Sequence, residues 1–525
     1  MSPTERGMSY REENEMPQDA PIAKGVADIL ATPIRWHDAK HDPNLNVMLC
    51  DLQANILKGH GRDHTGHVFV SFHGMTPAAI ADVLRGLAPR VKTALEQLTS
   101  TEHYKMTGED GGTVICVFLA RGAYGKLQLP AMRRPKDPAF VAGMRARGQL
   151  PKLQFVGIPG GLDGLNDPPQ SQWGTGWGDE MPEPDAMILV AGDTTDQVTQ
   201  GLQEVEALLN GTGASILTVE RGEAQRRRQP GGNPKGEGLE HFGYVDGRSQ
   251  PLFLQEDIAA ETGMRWNPAF PPSQFVVPDP GGRSPLACGS YFVFRKLEQN
   301  VKKFKAQEDE LAGLLNLPAK DRERAGAMVV GRWEDGTPVV GPSDAPVAGM
   351  PMNDFNYGED AEGLRCPFRA HIRKTNPRSP EPKPGDPAPP PGLPAERSRI
   401  MARRGITYGQ RQPRPDGADF PEDDLPERDV GLLFMAYMSN ITEQFEFTQA
   451  GWANNSNFPT GNAGVDPVLG QRPNPAAPPN THWQDGTVAG GRTGHEAQFD
   501  FKTSVTLLGG DYFFAPSVGF LKNPI

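Results

Sequence analysis

Three kinds of side chain stand in settings that could do chemistry together. His371 lies in the run Cys366-Pro-Phe-Arg-Ala-His-Ile-Arg-Lys-Thr-Asn-Pro-Arg378, where a neutral imidazole could bind a metal, fill a core or join a hydrogen-bond network. Asp246 lies in Gly243-Tyr-Val-Asp-Gly247. The glycines of that turn, Gly247 among them, let backbone approach a bound group closely, and its carboxylate could carry a proton. Arg403 and Arg404 are adjacent in Arg399-Ile-Met-Ala-Arg-Arg-Gly-Ile-Thr-Tyr-Gly409, as fixed positive charges for a developing anion or as solvated surface charge. Glu446 and Glu443, around Gln444-Phe-Glu-Phe447, could hold the far nitrogen of a ligating histidine or face solvent. His241 stands too near Asp246 to sit on the opposite side of a bound metal, so it is read as structural. His60, His64 and His67 would need a helix to converge, and Gly59, Gly61 and Gly66 break one, so no metal is assigned there.

These groups sit in a chain of 525 residues, enough for two domains or a fused pair. Charged residues make up 22% and hydrophobic ones 37%, in the range of soluble globular proteins, while 61 glycines and 52 prolines predict long loops. A net charge of −12 argues against nucleic acid, whose phosphates need basic patches, and against anionic membranes. The first twenty residues hold seven acidic or basic side chains and no apolar core, so no secretory signal is expected. The apolar run 431–438 is too short for a bilayer core of about 30 Å. Four isolated cysteines, at 50, 116, 288 and 366, read as reduced thiols of a cytoplasmic protein.

Residues 1–45 are polar and aperiodic, an arm that could drape over a partner subunit. Strands are expected at 67–72, 113–119, 186–191 and 215–219. Between them lie a helical pattern over 77–98, which Pro89 should kink or split, and a helix over 195–209. A second round begins with a strand at 290–294 and a helix over 297–315. It resumes with a strand at 430–437, a helix to about 452 and a strand at 504–508. Each round has the element order of a ferredoxin-like unit. The chain is therefore expected to be α+β, two ferredoxin-like units of antiparallel sheet with helices packed around them, over 46–235 and 236–525. Long loops are expected at 378–397, within a stretch where nine of nineteen residues (376–394) are proline, and at 458–496.

The segments around Asp246, His371 and Arg403 together resemble dye-decolorising peroxidases. The likeness runs from about 48 to 525, through Asp51-Leu-Gln-Ala-Asn-Ile-Leu-Lys-Gly59, Gly289-Ser-Tyr-Phe-Val-Phe-Arg295, Gly431-Leu-Leu-Phe434 and Gly509-Gly-Asp-Tyr-Phe-Phe-Ala-Pro516. The resemblance implies one haem b per chain, held mainly by the C-terminal unit, with His371 as axial ligand of its iron and not the nearby Cys366. It implies Asp246 as the acid-base group for hydrogen peroxide, beside Gly247, and Arg403 as the charge stabiliser. Arg404 is expected to face carboxylates such as the haem propionates, and Glu446 to hold the far nitrogen of His371. Dyes, phenols or other aromatic donors would then be oxidised in one-electron steps, best at acidic pH, by an enzyme expected to form a homo-oligomer. A haem-handling, iron-releasing protein and a non-catalytic haem-binding module are the alternatives, and both would tolerate loss of Asp246 and Arg403.

Overall fold

The computed structural model describes residues 25–227, 236–245, 249–261, 266–341, 353–378, 396–410, 425–472, 481–484 and 495–525. Asp246 and Gly247 lie outside the described residues, as do most of the expected N-terminal arm and proline-rich loop and much of 458–496.

The first half contains β1 (His64–Ser71), α1 (Pro77–Leu87), α2 (Ala94–Thr107), β2 (Val114–Ala120), β3 (Ala186–Gly192), α3 (Thr195–Leu209) and β4 (Ser215–Glu223). The second contains β5 (Cys288–Gln299), α4 (Val301–Leu314), α5 (Glu323–Val330), α6 (His371–Thr375), β6 (Ala402–Arg403), β7 (Ile406–Tyr408), β8 (Gly431–Met438) and β9 (Val505–Ala515).

Local chemistry explains several boundaries. Thr76 caps α1 by accepting from the amide of Ala79, and the helix gives way at Leu87 to a 3₁₀ turn containing Pro89, which lacks the N–H that a continuing helix needs. A capping box of Thr93 and Glu96 starts a separate helix, which ends at Gly108 in the left-handed conformation (φ 77°). The pattern is thus split at Pro89, as expected, and the second helix runs beyond 98. Expected helix 297–315 is shorter than its apolar pattern. Leu297 and Glu298 still pair with β8 and β9, and only at Asn300, whose side chain accepts from the amide of Lys303 at 2.8 Å, does the chain turn helical. The short strands β6 and β7 have no counterpart among the expected elements.

Among the described residues the strands of this sheet pair antiparallel, in the order β6–β8–β5–β9–β2–β3–β1–β4, with β7 beside β6 on β8. Each half therefore follows second–third–first–fourth strand, the ferredoxin-like order. The halves are hydrogen-bonded into one sheet where Phe513 and Phe514 of β9 pair with Ala120 and Leu119 of β2. At the opposite edges the Thr407 hydroxyl of β7 donates to the Glu223 carbonyl of β4 and accepts from the amide of Gln225 at 3.3 Å, so the sheet curls toward closure as a barrel.

Inside the curl, side chains of both halves share one core. Phe69 meets Phe294 edge-on at 4.9 Å and Trp177 at 4.7 Å, and Phe118 lies 4.3 Å from Phe292. Among the described residues no helix is long and apolar enough to cross a membrane.

Gly509 lies on β9 under this cluster, where an added Cβ would stand 2.3 Å from the Trp177 ring. That ring is held in place by its N–H bond to Glu220 at 2.7 Å. Gly509→Ala is expected to cost about 1–3 kcal/mol through overpacking. Chemical denaturation would read this as a lower midpoint at unchanged slope, and an unaltered midpoint would show that Trp177 can move aside.

Candidate active site

His371 is the first residue of α6, and a buried salt bridge sets that helix. Asp360 accepts from the backbone amides of Arg365 and Cys366 and pairs with Arg373 at 2.8 Å. Both charges are buried, and the pair ties the loop before the helix to the helix itself. The imidazole then lies on the wall of a 690 Å³ cavity.

The partner of His371 is Asp466. Nδ1 of the ring stands 2.8 Å from Oδ2 of a carboxylate whose side chain has no exposure. Oδ1 of the same carboxylate accepts the amides of Val468 at 2.8 Å and Leu469 at 3.1 Å, so both oxygens are engaged. A carboxylate acceptor requires the proton on Nδ1, which leaves the ring's lone pair on Nε2.

Glu446, expected in this role, is elsewhere. Its buried carboxylate is forked by Arg147, with Nε 2.9 Å from Oε1, and accepts the Tyr512 hydroxyl at 3.1 Å. Burial raises its pKa and Arg147 opposes the rise. Glu443 binds Arg399 and the amide of Val156. Nothing in the spacing of Asp466 pointed to His371, since 95 residues separate them. The only local signal was Asp466-Pro467, an Asx turn followed by amides to satisfy.

Arg403 lines the same cavity. Its backbone is fixed twice, by pairing with Ala436 of β8 and by its amide donating to Gln250 Oε1 at 3.0 Å. Val245 and Ser249, which flank the segment carrying Asp246, also line the cavity. A second cavity of 470 Å³ borders both arginines and Gln250.

Arg404 does not do what was expected of it. Its guanidinium is spent on main-chain carbonyls, those of Asn55 at 2.9 Å, Ile56 at 3.0 Å and Arg403 at 2.8 Å. Arg404 thereby pins the Asp51–Gly59 motif. Burial lowers its pKa to about 10.

The remaining lining suits a flat apolar group with acidic edges. Leu432, Phe434, Phe445, Val468 and Leu507 contribute apolar walls. Arg332 and Arg378, both buried, converge on the Ser249 hydroxyl at 3.1 and 2.8 Å. His241 is buried away from this chemistry, its Nε2 2.8 Å from the Tyr408 carbonyl. Cys366 is also buried, and burial raises its pKa to about 12, which keeps it a thiol.

No family model matches the chain. It is 41% identical over 508 residues to the multifunctional dye peroxidase DyP2 of Amycolatopsis sp., covering 94% of this chain and 99% of that protein. It is 29% identical over 517 residues to the dye-decolorizing peroxidase msp1 of Mycetinis scorodonius, covering 94% and 90%. Among solved structures, DyP2 from Amycolatopsis superposes with a TM-score of 0.79 at 40% identity over 94% of this chain and 99% of that one. A DyP-type peroxidase of Anabaena sp. gives 0.78 at 33% identity, over 94% and 97%.

Glu240 borders the cavity and supports the turn that leads to Asp246, accepting the amides of Phe242 at 2.7 Å and Tyr244 at 3.0 Å. Burial raises its pKa from 4.5 to about 7 against those bonds. The folded state therefore binds this proton more tightly than the unfolded chain, and the stability Glu240 contributes is lost as pH rises through about 4.5 to 7. Glu240→Gln is expected to flatten the fall in unfolding midpoint across that window, measured by calorimetry. An unchanged slope would place the titration elsewhere.

Proposed function

The chain belongs to the dye-decolorising peroxidase family and is a haem-dependent oxidoreductase acting on peroxide and dyes, and on that premise we propose that His371, Asp246 and Arg403 divide its chemistry around one haem b. Haem supplies a redox-active iron at which peroxide is reduced and from which electrons are demanded of a donor singly. The cavity fits that group in volume, in its apolar walls and in the arginines at its edge, which suit propionate carboxylates.

His371 Nε2 would bind the iron. The hydrogen bond from Nδ1 to Asp466 fixes the tautomer and would make Nε2 a stronger electron donor toward the iron it holds. Asp246 would take a proton from peroxide and return it to the departing oxygen, which leaves as water. Arg403 would offset the negative charge that builds on that oxygen, its strand and Gln250 holding it in place beforehand. The apolar walls exclude water and so strengthen each of these charges.

One observation carries this reading: His371, held by a buried carboxylate, lines the same cavity as Arg403 and both described neighbours of the Asp246 segment. Phenolic and other aromatic donors are the reductants we infer beside dyes. A net charge of −12 and four free cysteines fit partners other than nucleic acid and a reducing compartment such as the cytoplasm.

Purified holoenzyme is expected to show a Soret band that shifts when peroxide is added. His371→Ala should lose the histidine-ligated spectrum. Asp246→Asn and Arg403→Leu should keep haem but slow the shift by about 10²-fold or more in stopped flow. A His371→Ala protein with an unaltered axial spectrum would remove the ligand assignment, and unaltered rates in the other two would remove their roles.

A further inference from the structure

Lys374 is buried one helical turn after His371, with no exposure, in a position the peroxidase chemistry leaves unexplained. Its ammonium donates to three backbone carbonyls: Asn455 at 2.8 Å, Phe458 at 2.7 Å and Gly464 at 2.6 Å. Three acceptors match the three donors of an ammonium. They come from two stretches of one loop, 455–458 and 464, and that loop leads directly into Asp466. Without the cation these three carbonyl oxygens, each partially negative, would repel one another.

A second cation works on the same loop from the other side of His371. Arg369 donates from Nε to the Ala463 carbonyl at 2.9 Å and also binds the His482 carbonyl. Asp466 is further anchored by its own amide on Ala453 at 2.9 Å. The short helix α6 therefore presents His371 to the cavity while the side chains just before and after it grip the strip that supplies the carboxylate. Residues three apart on a helix share a face, so Lys374 and His371 move as one unit. Burial lowers the Lys374 pKa to about 7, while the nearby Asp466 raises it.

We propose that Lys374 is a positioning residue for the peroxidase reaction, gathering the Asn455, Phe458 and Gly464 carbonyls so that the Asp466 carboxylate stays aligned on His371 Nδ1 and sets the donor strength of the axial imidazole. The proposal rests on His371 as the iron ligand. Lys374 touches neither substrate nor haem in this account and acts only through Asp466.

The test uses the holoenzyme, reduced to the ferrous state, with the iron–histidine stretching vibration read by resonance Raman. Asp466→Asn weakens the acceptor and should lower that frequency. Lys374→Met should lower it in the same direction, and haem affinity should fall by about 10- to 100-fold, the usual effect of losing a group behind a metal ligand. The double variant should shift no further than Asp466→Asn alone, because the lysine acts through the carboxylate. A folded Lys374→Met holoenzyme with an unshifted frequency overturns the proposal, and so does a double variant whose shift is the sum of the two. Should Lys374→Met not fold, Lys374→Gln keeps two donors without the charge, and an unshifted frequency there overturns it equally. Absence of any iron–histidine band in the unmodified enzyme would instead remove His371 as ligand, which separates the two failures.

Discussion

The bond from His371 Nδ1 to Asp466 Oδ2 joins residues 95 positions apart, and much of the C-terminal half is arranged to keep it short and dry. A carboxylate with no exposure is expensive unless each oxygen has a partner. Asp466 meets that condition with two amides on one oxygen and an imidazole on the other. Behind His371 the Asp360–Arg373 pair fixes the helix, and beside it Lys374 and Arg369 fix the loop. The histidine is thus held from both ends of the interaction, with little freedom to reorient when its other nitrogen is engaged.

Arg403 is placed by sheet rather than loop. Arg403 sits on a two-residue strand that pairs with β8, and β8 is itself central to the C-terminal half through β5. Hydrogen bonds running across the strands therefore set where its guanidinium starts. Gln250 then ties that strand to the segment following Asp246. Gln250 and Arg403 lie 153 residues apart, yet one amide side chain joins their segments.

Buried charges also join the two halves. Arg147 of the N-terminal half forks Glu446 of the C-terminal half, and Arg295 pairs with Asp167 across the same division. Arg404 caps the carbonyls of Asn55 and Ile56. Removing one partner of such a pair leaves an uncompensated buried charge, so these contacts impose a single relative placement of the halves. Glu446 belongs to this group, and its motif reflects that cross-link rather than contact with His371.

The repeated α+β order, the long strands of both halves and the separate helices around Pro89 were legible in the chain, because apolar periodicity and proline are local properties. Strands β6 and β7 were not, since two- and three-residue strands show no periodicity and exist only because β8 offers them an edge. The roles of Arg404 and Glu446 were equally invisible. Which carbonyls an arginine meets, and which acid reaches an imidazole, depend on where distant segments of the chain return. Asp466 became the partner of His371 because Lys374 and Arg369 hold that loop against the helix. Sequence by itself determined which groups could do the chemistry; only the folded chain decided which of them meet, because burial makes a charge choose its partner in three dimensions.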